Sequence, residues 1–119
     1  MRIILSAAAL ASALALLPSA SNAASYDGNW SVLIVTESGT CDRAYRYPLK
    51  IENGAIMYGG KKDFDVSGRV QGNGAVTVRV SKGNMGADGV GRLSGKYGTG
   101  TWAAPNGGCT GKWTADKRG

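Results

Sequence analysis

The chain has 119 residues, 14 Lys and Arg against 8 Asp and Glu, a formal net charge of +6, 19 glycines, two cysteines and no histidine. That length points to one domain. The lack of histidine excludes the common Ser-His and Cys-His catalytic pairs and leaves two cysteines without the further ligands a metal site needs.

The chain opens with a positive start, Met1-Arg2, and an Ala- and Leu-rich apolar run from Ile3 to Leu17. Small residues at Ser21 and Ala23 follow. This is the pattern of a secretory signal peptide, residues 1–23, with cleavage predicted after Ala23. The run is shorter than the roughly 20 residues of a membrane span, so no transmembrane segment is expected after cleavage. No cysteine stands at the cleavage site for a lipid anchor. The mature chain, residues 24–119, loses only the charge of Arg2 and keeps every glycine.

The first strand is expected from about Asn29 to Thr36, with Trp30, Val32 and Ile34 on one face and Leu33 and Val35 on the other. A second runs from about Asp42 to Ile51. Tyr45, Tyr47, Leu49 and Ile51 share one side of it; Arg46, Pro48 and Lys50 share the other. Pro48 cannot donate a ladder hydrogen bond, which suggests an edge or a bulge. Asn53-Gly54 suits a type I′ hairpin turn, because both residues accept positive φ. Ala55 to Tyr58 then forms a third strand. The basic stretch Gly59 to Lys62 leads into a fourth, with Phe64, Val66, Gly68 and Val70 inward. Val76, Val78 and Val80 mark the inner face of a fifth. Ser81 to Asp88 reads as the longest polar loop and Gly89 to Ala115 as three more strands. Val66-Ser67-Gly68 and Leu93-Ser94-Gly95 hint at two similar hairpins.

No stretch after the signal has helical periodicity, and turn signals recur every eight to twelve residues or so. The expected fold is all-β: a small antiparallel up-and-down or flattened barrel of about eight strands. Gly-x-Trp occurs three times, at Gly28-Trp30, Gly100-Trp102 and Gly111-Trp113. Closure would bring the first strand beside the last, with Trp30, Trp102 and Trp113 as core residues. Two cysteines in an exported chain are most simply one disulfide, Cys41–Cys109.

For chemistry, Asp63 and Asp65 are placed to share a strand face as paired carboxylates, though two solvated charges beside Lys61 and Lys62 explain them as well. Glycine-rich stretches abound, but none joins a strand to a helix and ends in the phosphate-loop signature. Haem ligation would fall to Tyr58, Met57 or Met85; no cofactor is expected. A ligand site is expected at Arg43, Tyr45, Arg46, Tyr47 and Lys50, where charge and aromatic rings would suit an anionic or planar molecule. The alternative there is a solvated outer face over a tyrosine-lined core.

The segments Gly28 to Val32, Cys41 to Pro48 and Gly89 to Lys117 together resemble a family of short exported proteins of alphaproteobacteria. That family has a Gly-x-Trp start, a Cys-x-x-x-Tyr-Arg-Tyr-Pro segment and a Cys-x-Gly-x-Trp end. The resemblance implies no catalytic residue. Gly-x-Trp is also similar to the start of small calycin-type barrels, which include lipocalin-like carriers and a periplasmic inhibitor of secreted metalloproteases. Those inhibitors act through an extended N-terminal segment, whereas only Ala24 to Asp27 precede the first strand here. The expected function is therefore binding and not catalysis. The protein is expected to be a periplasmic or secreted monomer that takes an unidentified small molecule or an exported or cell-surface partner, and not nucleic acid. Inhibition of a hydrolase is the first alternative, and an enzyme with an unrecognised carboxylate site the second.

Overall fold

Period-two alternation carries through into eight antiparallel strands: β1 (Gly28–Ser38), β2 (Ala44–Glu52), β3 (Ala55–Tyr58), β4 (Asp65–Val70), β5 (Ala75–Lys82), β6 (Met85–Ser94), β7 (Tyr97–Ala104) and β8 (Cys109–Lys117). The computed structural model describes residues 26–61 and 64–119, so the expected signal peptide, Lys62 and Asp63 lie outside the described residues. Each strand pairs with the next, and β1 also pairs with β8, which closes the barrel. The closing register sets Ile34 opposite Trp113 and Val32 opposite Ala115. Closure removes the exposed edges that an open sheet of this composition would carry.

The turns at one end are tight. Asn53 and Gly54 have φ of 51° and 81°, the type I′ combination expected from Asn-Gly. The Asp27 carboxylate accepts the N–H of Asn53 at 2.9 Å and of Gly54 at 3.4 Å, which ties the start of the described chain to that hairpin. At the other end, Cys41 and Cys109 form the expected disulfide, with Cα atoms 6.2 Å apart. It joins the β1–β2 connection to the first residue of β8.

Ser81 to Asp88 is not a loop. The two-residue turn Gly83-Asn84 joins β5 to β6, and the ladder continues through Lys82↔Met85, Ser81↔Gly86, Val80↔Ala87 and Arg79↔Asp88. Gly83 takes a φ of 63°, and the Arg79 guanidinium meets the Asp88 carboxylate at 2.7 Å across the outer face. The segment looks loop-like because glycine, alanine and asparagine carry no apolar signal of their own. The two suggested hairpins also differ: Gly68 lies within β4, whereas Gly95 lies in the β6–β7 turn, at a φ of 62°. Pro48 is flanked by strands on both sides, but β3 stops opposite Leu49. The Pro48 carbonyl accepts a last bond from Gly59 N–H at 2.9 Å, so its missing donor falls where the ladder ends.

Inward residues near the first end form the packed core: Trp30, Val32, Ile51, Ile56, Val70, Val76, Leu93, Trp113 and Ala115. Tyr26 packs beneath them, its carbonyl accepting the Trp30 indole N–H at 2.8 Å.

Candidate functional site

Inward residues nearer the second end are only half-buried, although they point into the barrel. Ile34, Tyr47, Leu49, Val66, Val78 and Trp102 all pack against the core yet retain exposed surface. The reason is a cavity of about 490 Å³, within the size range of small-molecule pockets, that most of these residues border. Its floor is apolar: Trp30, Ile51, Ile56, Val76, Leu93 and Trp113. Among the described residues, its charged lining and its hydroxyls other than the tyrosines stand toward the rim: Thr36, Thr40, Asp42, Ser81, Lys82 and Asp88. Thr40, Cys41 and Asp42 all line it, so the disulfide fixes one side of the opening.

Two tryptophans shape the wall by a reciprocal arrangement. Gly100 of β7 is paired with Trp113 of β8, and Trp102 of β7 is paired with Gly111 of β8. The Trp113 ring lies across Gly100 and Gly91, and its indole N–H reaches the Val90 carbonyl on β6 at 3.2 Å. The Trp102 ring crosses Gly111 in the opposite direction, and its N–H reaches the Val35 carbonyl on β1 at 3.1 Å. The glycine of each Gly-x-Trp unit thus seats the tryptophan of the other. Trp30 and Trp113 are core residues as expected; Trp102 is half-buried and borders the cavity.

The facing wall is aromatic. Tyr47 and Phe64 meet edge to face at 5.0 Å, Tyr45 and Tyr47 at 4.7 Å, and Tyr58 and Phe64 at 5.3 Å. The Lys82 ammonium sits 5.2 Å from the Phe64 ring centre. Burial raises the Tyr47 phenol above its ordinary value, and the nearby Tyr45, Tyr58 and Asp42 add to the shift.

The five residues expected to bind ligand do not converge. Tyr45 and Tyr47 line the cavity. Arg46 lies on the outer face, donating to Ser31 Oγ at 2.9 Å, and Lys50 pairs outside with Glu52 at 3.2 Å. Arg43 is exposed in the connection before β2 and lies outside the lining. The pattern of β2 is a tyrosine-lined interior behind a solvated basic exterior, because alternate residues of a strand face opposite ways. Asp65 is exposed on the outside of β4, away from the cavity. Tyr58 and Met57 are neighbours in β3 and face opposite sides, while Met85 is exposed at the rim. Among the described residues, no group of three or more His, Cys, Asp or Glu is placed to hold a metal ion.

Lys82, the charged residue at the end of the inward row Val76-Val78-Val80, was hidden by the loop reading of Ser81 to Asp88. The signal was present: the period of two simply continues one step further. No protein-family model matches the chain, and no curated protein matches it significantly.

Proposed function

We propose that this protein is an exported binding module that holds an apolar small molecule inside its barrel. The observation that carries this is the cavity of about 490 Å³, apolar at its floor and charged toward its rim. Eight-stranded barrels have room for packed side chains or for one small ligand, and here the core fills one end while the other is open. The enclosing residues are held by main-chain ladders and by one disulfide, so binding demands little reordering of the protein. The disulfide is compatible with an oxidising compartment outside the cytoplasm. Inhibition of a hydrolase would instead be favoured by a filled barrel with a projecting loop, whereas this barrel holds a cavity and Ser81 to Asp88 is a paired hairpin.

The test is titration of the purified mature chain with a polarity-sensitive apolar dye, together with a native mass spectrum of protein recovered from its own cells. Saturable binding of one dye per chain, or one reproducible extra mass, supports the reading. A chain of correct fold that neither takes up dye nor carries any added mass overturns it.

A further inference from the structure

We infer that the ligand is an anionic amphiphile, with its apolar tail inside the barrel and its acidic head at Lys82. This rests on the carrier reading and adds the class of ligand. The floor of the cavity consists of Trp, Ile, Val and Leu side chains, where a ligand charge would be stranded without partners at a cost of several kcal/mol. A charged ligand therefore keeps its head at the rim. Among the described residues, three charged ones line the rim: Asp42, Lys82 and Asp88. Asp88 lies opposite Arg79 on the outer-facing positions of β6 and β5 and is neutralised by its guanidinium at 2.7 Å. Asp42 lies on the β1–β2 connection, near enough to the Tyr47 hydroxyl to raise its proton affinity. Lys82 alone of the three continues an inward row, one step beyond Val80, and is steered over the Phe64 ring at 5.2 Å.

An ammonium held there is a compact point charge with donors that rotate toward an incoming carboxylate, sulfonate or phosphate. The row Val76 to Lys82 runs about 20 Å along β5, which gives a chain of medium length room below the head. The tyrosine-rich wall beside Lys82 suits the junction of tail and head, since its rings are apolar in body and polar at the tip.

The test uses decanoate and 1-decanol, equal in chain length and different in charge, each displacing an apolar dye from the disulfide-intact chain near neutral pH and low salt. Decanoate should bind about fivefold or more tightly than decanol. Lys82→Ala should bring the ratio to within about twofold of one, and Lys82→Arg should restore it. Asp42→Asn, which removes the neighbouring negative charge, should raise decanoate affinity. Equal affinities in the parent chain, or a ratio that survives Lys82→Ala, overturn the inference. Dye binding with no displacement by either compound overturns it too, yet leaves the carrier reading standing. Failure of the dye and of decanol alike overturns both.

Discussion

At Gly100, a Cβ atom would lie 2.6 Å from two ring atoms of Trp113 and closer still to the Val90 carbonyl oxygen. Backbone on one side and a ring fixed by its own hydrogen bond on the other leave little room to yield. Gly100→Ala should therefore destabilise by about 1–3 kcal/mol, the usual cost of overpacking, read as a lower midpoint in chemical denaturation. Trp113→Ala removes the ring that this glycine seats and should cost about 3–5 kcal/mol. Wild-type stability in either variant would remove the reciprocal packing from the account of the fold. The Gly-x-Trp motif itself was legible in the chain. That each glycine serves the other motif's tryptophan was not, because it depends on the β7–β8 register that sets Gly100 opposite Trp113 and Gly111 opposite Trp102.

Two elements decide how the open end behaves. The Cys41–Cys109 bridge spans 68 residues of sequence and ties the β1–β2 connection to β8. In the chain-entropy model it contributes about 4 kcal/mol, so reduction should lower the melting temperature by roughly 15–30 °C for a domain this small. An unchanged melting curve after confirmed reduction would falsify the stapling role. The aromatic wall of β2, β3 and Phe64, the residue before β4, makes a prediction about alkaline pH. Tyr47 has a raised pKa when folded, against 10.0 for the ordinary phenol. The unfolded chain then loses this proton first as pH rises. Its contribution to stability is present in full below about pH 10 and declines as pH climbs through the folded value. Tyr47→Phe should flatten that part of the alkaline loss, measured as melting temperature between pH 8 and pH 11 or so against the parent chain. Parallel curves would show that the hydroxyl is not responsible. The β5–β6 hairpin teaches a different lesson. Ser81 to Asp88 resembles a loop, since its glycines, asparagine and short side chains carry little apolar signal, yet main-chain pairing runs through all but two of these residues.

Across the whole molecule, the barrel is packed at the Tyr26 end and hollow at the disulfide end, and the proposed function rests on that asymmetry. Val78 stands in the inward row of β5 and borders the cavity. Val78→Trp should fill the space with a ring, weakening dye binding at least about tenfold, or roughly 1.4 kcal/mol, while the chain keeps its cooperative melting. Undiminished binding in the folded variant would place the ligand elsewhere. The sequence by itself determined the all-β class, eight strands, most turn positions, the cysteine pairing, the alternating faces of β1 and β2 and the inward rows of β4 and β5. Those features follow from local chemistry: alternation, positive-φ turn residues and a count of two thiols. Only the tertiary structure decided the β1–β8 register, which side of β2 faces the interior, and that the inner volume is not filled. Whether a barrel is hollow depends on the sum of side-chain volumes facing one another across it. Here glycines on β6, β7 and β8 seat two tryptophans flat against the wall and so leave the centre open, a result no single strand encodes.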